Sequence, residues 1–215
     1  MTVVKVVIIG AGGHAKVLAD IIRLDPTVEL AGFTDPDPGK HGTDILGYPV
    51  LGGDEVVESL RADGPLGVIL GVGDLELRRK LLSRLETVGL MWVNAVHPDA
   101  TISESVRMGA GVAVMGGAVI NCLTSIGDHA IINTNASIDH DCRIGANVHV
   151  APGAAIGGTC TVGESTMIGI GSMLVPRVNV GAGSVVGAGA AVVGDIPDSS
   201  LAVGVPARVT RKLTD

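Results

Sequence analysis

The sequence predicts a two-part chain: a small α/β unit followed by a prism of short parallel strands. Three observations carry this. The first ninety residues alternate apolar runs with helical stretches, punctuated by Gly10, Gly12, Gly71 and Gly73. From Val96 onward an aliphatic residue or Met returns at every sixth position. Four residues after each of these stands a small or β-branched residue, giving a second stripe of the same period.

The opening stretch VVKVVIIGAGGHAKVLADII reads as a buried strand, a glycine-rich turn and a helix. Gly10, Gly12, Gly13 and Ala15 let the backbone approach a ligand closely. The helix start then offers free N–H groups and positive dipole to a phosphate. A second strand, VELAGFTD, ends at Asp35, a natural place for a carboxylate that binds a ribose or a base edge. A third, LGVILGVGD, ends in Gly71, Gly73 and Asp74, and the helical stretch ELRRKLLSRLETVG follows. This is a Rossmann-like β-α-β arrangement. Gly10-x-Gly12-x-x-Ala15 matches the relaxed dinucleotide fingerprint, yet a unit this short lacks room for a second mononucleotide half. One nucleotide diphosphate fits it better than NAD, which stays open as the alternative.

The six-residue stripe runs Val96, Ile102, Met108, Val114, Ile120 and onward to Val192, and stops at Asp198. The second stripe runs from Ala100 and Val106 to Ser184 and Ala190. A helix cannot carry period six, whereas short strands joined by turns can. The stripes lie two residues apart along each strand, so both face inward. Three such steps close a triangular coil, and coils stack at roughly 4.8 Å. Gly follows the aliphatic residue at Gly109, Gly127, Gly145, Gly157, Gly163, Gly169, Gly181 and Gly187. These glycines are expected at the corners, where positive φ is needed. The domains are expected at 1–92 and 93–215.

Composition narrows the function. The net charge of −7, with one Trp, one Tyr and one Phe, argues against a nucleic-acid surface. No apolar run approaches the ~18–20 residues that span a bilayer, and Met1 leads directly into a strand. The expectation is a soluble, cytoplasmic protein with reduced cysteines and no membrane partner.

SIDHDCRIGANVHV holds two histidines nine residues apart, half of an eighteen-residue coil. His140 and His149 therefore fall on different sides of one prism, and they share a site most easily between two prisms packed side by side. His140 lies outside both stripes and is flanked by Asp139 and Asp141. It suits the role of general base, with Asp141 orienting the ring. Cys142 and Cys160 lie in the inward small stripe and are poor nucleophiles there. Covalent catalysis through a cysteine is not expected. His14 reads as a residue of the ligand turn; His41, His97 and His129 have no assigned role. A rival is a zinc site joining His129, His149 and a neighbour's His140, which would leave the nucleotide-like unit unexplained.

GAGGHA, FTD, GVGD-LELR, NAVHP, INTNASIDHDC, HVAPGAAIGG and GVPAR occur in this order along nearly the whole chain. The sequence thereby resembles the hexapeptide-repeat sugar O-/N-acyltransferases, the group with the sialic acid O-acetyltransferases and the bacillosamine- and perosamine-type N-acetyltransferases. The resemblance implies a left-handed parallel β-helix of hexapeptide repeats, a homotrimer with active sites between subunits, and acetyl-CoA as co-substrate with no metal. It implies a nucleotide-linked sugar, UDP- or GDP-linked, as the acceptor. His140 and Asp141 take the catalytic places. His149, Ile170 and Ala188 map onto CoA contacts, and Gly12, Gly13, His14, Thr34, Asp35 and Gly73 onto nucleotide-sugar contacts. Arg208, Arg211 and Lys212 follow the last coil and could meet CoA phosphates. Amine and hydroxyl acceptors both remain open, since one base serves either. A γ-carbonic-anhydrase-type zinc enzyme and a non-catalytic or NAD-binding module are the alternatives.

Overall fold

Strand β1 (Val4–Ile9) is buried from Val6 to Ile9, as an apolar strand at the centre of a parallel sheet must be. The computed structural model describes residues 4–62, 64–85 and 89–213. Helix α1 (Gly13–Ile22) turns Ala15, Leu18, Ala19 and Ile22 inward, the spacing of one helical face. It leads to β2 (Val28–Thr34), which pairs parallel to β1. A hairpin follows, β3 (Asp44–Ile45) and β4 (Tyr48–Gly52). Its two-residue turn, Leu46-Gly47, has positive φ at both positions, matching the twist of the strands it joins. The unit continues through α2 (Val56–Ala62), β5 (Leu66–Leu70), α3 (Leu75–Leu85) and β6 (Met91–Trp92).

The sheet order is β3-β4-β2-β1-β5-β6. The chain steps outward from β1 to one side and returns to β5 on the other. Between β1 and β5 the order reverses, the place where open parallel sheets gather ligands beyond their strand ends. The sequence announces β1, β2, β5 and the helices α1 and α3. It does not announce β3, β4, β6 or α2: β4 carries Pro49, α2 has 7 residues, and β3 and β6 have 2 each. The expected first strand and third helix extend over residues 3 and 86–88, which lie outside the described residues.

The chain divides into two units, Met1–Val96 and His97–Asp215. The second is built of two-residue strands in three parallel sheets. Residues pair with partners eighteen positions on, as in Ile120 with Ile138 and Ile138 with Ile156. Three six-residue steps thus make one coil. The first sheet contains Ile131–Ile132 and His149–Val150, the second Ser137–Ile138 and Ala155–Ile156, the third Arg143–Ile144 and Thr161–Val162. From Val112 to Val192 both stripes are buried without a gap. Inward hydroxyls are satisfied by backbone: Thr166 donates to the Gly181 carbonyl at 2.8 Å, and Ser184 to that of Pro197 at 2.8 Å. Ser200–Val203 and the antiparallel strand Arg208–Lys212 close the top of the first sheet.

Two details correct the sequence reading. Val96 is 37% exposed, and Ile102 and Met108 are half-buried. The stripe starts at the open end of the stack, where a coil has a neighbour on one side only. Secondly, the glycines that follow the aliphatic stripe are not the positive-φ residues. Positive φ falls two residues later, at Gly111, His129, Asn135, Asp141, Asn147, Thr159, Gly171 and Arg177 among others. The stripe glycines are needed because coils stack closely. A Cβ on Gly145 would lie 2.6 Å from the Glu164 backbone nitrogen, and one on Gly127 2.5 Å from that of Ala146.

No helix among the described residues is long and apolar enough to cross a membrane.

Candidate active site

A cavity of about 510 Å³ opens at the carboxyl ends of β1, β2 and β5. Gly12, Gly13, His14, Asp35 and Gly73 all line it, as the sequence expects. Gly12 caps α1 with no side-chain hydrogen bond, and the positive end of the helix dipole lies at this start. A Cβ on Gly12 or Gly13 would meet nothing within 4 Å, which leaves the backbone open to a ligand. Gly71 serves packing instead: a Cβ there would lie 2.5 Å from Ile8 and 2.7 Å from the Ala15 Cβ.

Asp35 is buried and fully engaged. Its Oδ2 accepts from the Ala11 N–H at 3.1 Å and from Lys40 Nζ at 2.8 Å; Oδ1 accepts from the Asp37 N–H at 3.0 Å. Burial alone would raise its pKa. The Lys40 contact and the two backbone donors outweigh that and hold the carboxyl below its ordinary value. Thr34 does not line the cavity. It is fully buried, and its hydroxyl donates to Asp54 Oδ1 at 2.8 Å. Asp54 in turn pairs with Arg84. Lys40, Asp54 and Arg84 line the cavity and were not singled out by the sequence. They come from three separate segments, and only the fold brings them together.

Arg78 is buried too, on the inner face of α3. Its guanidinium donates to the carbonyls of Val72 at 2.8 Å and Leu70 at 3.4 Å, bracing the loop that carries Gly73. Burial lowers its pKa to about 10, so it stays charged at neutral pH.

On the prism, His140 follows Ser137–Ile138 of the second sheet and precedes Arg143–Ile144 of the third, so it stands at the edge between them. Its Nδ1 lies 2.8 Å from Asp141 Oδ2. With Nδ1–H donating to the carboxylate, Nε2 carries the lone pair. Asp141 has φ +57, an αL conformation that Asp tolerates and that sets its carboxylate beside the ring. The Asp141 hydrogen bond, then the charge of Asp139, raise the His140 pKa above its ordinary value. The ring is 51% exposed, open to a substrate.

The backbone under His140 is fixed from two sides. Asp139 Oδ1 accepts from the His140 N–H at 2.8 Å and from Asn121 Nδ2 at 2.9 Å, contacts that hold the Asp139 carboxyl below its ordinary pKa. From inside, Thr124 Oγ1 donates to the Asp139 carbonyl at 2.8 Å and accepts from the Cys142 N–H at 3.0 Å. Asn121 and Thr124 were missed because each sits one coil, not a few residues, before its partner.

His149 is on the first sheet, on a different side from His140, with Nε2 3.0 Å from Asn133 Nδ2. Ile170, 61% exposed, and Ala188 each follow a strand of the first sheet and precede one of the second. They stack on the edge between those sheets. Cys142 and Cys160 are fully buried, and the Cys160 thiol together with burial pushes the Cys142 thiol up. Among the described residues no group of three or more His, Cys, Asp or Glu could hold a metal ion.

The PglD N-terminal domain family matches residues 5–85, and the bacterial transferase hexapeptide family (six repeats) matches residues 123–158. A histidine-to-asparagine variant of perosamine N-acetyltransferase from Caulobacter crescentus, solved with CoA and GDP-perosamine, is 45% identical, with 97% of each chain covered and a TM-score of 0.89. The chain belongs to the hexapeptide-repeat sugar acyltransferases. The acetyltransferase domain of PglB from Neisseria gonorrhoeae, solved with acetyl coenzyme A, is 35% identical, covering 96% of this chain and 99% of that one, with a TM-score of 0.88. UDP-N-acetylbacillosamine N-acetyltransferase from Bacillus subtilis is 35% identical over 116 residues, 52% of this chain and 51% of that protein. The chain spans about half or less of the length of the curated relatives it matches. Likeness to these family members over the full fold bears out the left-handed parallel β-helix that the resemblance implies.

Proposed function

We propose that this protein moves an acetyl group from acetyl-CoA to an amine of a nucleotide-linked sugar, directly, with His140 as general base. The observation that carries the reading is the His140–Asp141 pair: a ring held at Nδ1 by a carboxylate, with Nε2 exposed and basic. The acceptor's amine attacks the thioester carbonyl carbon, and Nε2 takes the proton released from nitrogen. The tetrahedral intermediate collapses, the C–S bond breaks, and the imidazolium returns its proton to the CoA thiolate. The products are the N-acetyl sugar and CoA.

The cavity of the α/β unit would take the nucleotide diphosphate, with Gly12, Gly13 and His14 at the helix start and Lys40 and Arg84 as cations. Asp35 would hold the turn and Gly73 the facing loop. His149, Ile170 and Ala188 would contact CoA. These residues and His140 occupy different sides and edges of one prism, which supports a trimer with each site shared between neighbours. The N-acetyl reading is supported by the relatives, a perosamine N-acetyltransferase and a UDP-N-acetylbacillosamine N-acetyltransferase.

The test is thiol release from acetyl-CoA with a panel of UDP- and GDP-linked amino and hydroxy sugars, GDP-perosamine included. Release with an amino sugar only is the expected result. Release with hydroxy sugars only would overturn the N-acetyl assignment, and release with none would overturn the reading.

A further inference from the structure

We infer that Gly158 is the seat of the catalytic ring: its missing side chain is what allows the His140 imidazole to lie against Asp141. This inference rests on the proposed role of His140.

Gly158 stands eighteen residues after His140, one coil further along the same edge. A Cβ on Gly158 would lie 2.7 Å from both Cε1 and Nε2 of His140, and 3.2 Å from Cδ2. Real Cβ atoms do not sit at such distances, so the ring would have to move. Gly158 is itself buried. Its φ is outside the positive region, so alanine suits its backbone.

The contrast with the stripe glycines gives the inference its content. At Gly127 and Gly145 the nearest obstacles to a Cβ are all backbone atoms of the next coil, and at Gly157 they are backbone atoms and the Pro176 ring. Those glycines serve the fold. At Gly158 the three nearest atoms all belong to the exposed His140 ring, which can swing aside into solvent. The fold therefore tolerates a methyl group at 158 and the chemistry does not. A displaced ring loses its Asp141 partner and no longer presents Nε2 in a fixed direction. Gly158 is a positioning residue, acting through His140.

The experiment compares wild type, Gly158→Ala, His140→Ala and the double variant, using acetyl-CoA and GDP-perosamine. It also follows the His140 ring by NMR titration of histidine-labelled protein. In the wild-type background Gly158→Ala is expected to lower kcat about 10- to 100-fold, a part of what a general base contributes. The KM for acetyl-CoA and the unfolding midpoint stay unchanged. In the His140→Ala background the same substitution has no further effect. In the titration, the His140 pKa of Gly158→Ala falls toward the ordinary value near ~6.5. Equal losses of kcat in both backgrounds would overturn the inference, because Gly158 would then act other than through the ring. A lowered unfolding midpoint would also overturn it, since the Cβ would be meeting something fixed. If wild type transfers nothing to GDP-perosamine, the functional reading fails for that acceptor, and the titration alone decides the seat: an unchanged His140 pKa would refute it.

Discussion

The two units place their functional groups in opposite ways. In the α/β unit the cavity is assembled from distant segments: residues 10–14, 35–40, 54, 71–74 and 84 converge on one opening. Its charged groups are tied to one another, Asp35 to Lys40 and Asp54 to Arg84. In the prism every coil repeats the same scaffold, and the site is a local departure from the repeat at Asp139, His140 and Asp141. The repeat supplies a rigid and nearly invariant frame. The proposed base stands at an edge, where one exposed ring shares a column with Glu104, Cys122, Gly158, Pro176 and Gly194. A change in the prism should therefore be felt either in stability or in chemistry. A change in the cavity should be felt in both.

Substitutions test that separation, the largest effect first. Ile138→Ala removes a fully buried side chain from the middle of the stack. It should cost about 2–5 kcal/mol of stability, read from chemical denaturation. Retained stability would mean that the coils repack freely, and the rigid-frame account would fail. Asp35→Asn replaces an acceptor-only carboxylate with an amide whose NH2 faces donors already present at Ala11, Asp37 and Lys40. A stability loss of about 1–3 kcal/mol is expected. The KM for the nucleotide sugar should rise with it, and a change in kcat alone would show that the cavity is not the sugar site.

Asp141→Asn probes the pair at the prism edge. Asp141 raises the His140 pKa, so it keeps the ring protonated to higher pH. Removing the charge lowers that pKa. The acidic limb of the kcat/KM profile should move to lower pH, while the plateau falls because the ring is less basic and less well oriented. A limb that stays in place would remove Asp141 from the account. The smallest effect is Leu123→Asn. Leu123 is 62% exposed and holds φ +59, a conformation that is unfavourable for Leu and accessible to Asn. A gain of about 0.5–1 kcal/mol is expected without change in activity. Thermal unfolding measures it.

The same contrast explains what the sequence discloses. The prism is legible because one coil equals eighteen residues, so burial repeats as a visible period. His140 and Asp141 are legible because they lie outside both stripes, side by side in a motif that the resemblance marks. Gly158, Asn121 and Thr124 are not, because their contacts with the His140 segment run vertically across a coil. The positive-φ corners are only partly marked. Gly or Asn stands at Gly111, Gly117, Asn135, Asn147 and Gly153, whereas Leu123, Thr159 and Arg177 do not advertise αL geometry. In the α/β unit the strand ends Gly10, Asp35 and Gly73 are marked by glycine and by hydropathy. Lys40 and Arg84 carry no such mark, and a charged residue on a loop or a helix face reads as solvated until the fold shows where it points.

The central claim is that a single ring at one edge does the proton transfer while the coils around it hold it in place. Single-turnover acetyl transfer by His140→Ala, at saturating acetyl-CoA and nucleotide-linked amino sugar, tests this most directly. The account predicts a rate lowered about 10²- to 10⁴-fold with acetyl-CoA affinity and fold intact. A rate close to that of wild type would contradict it.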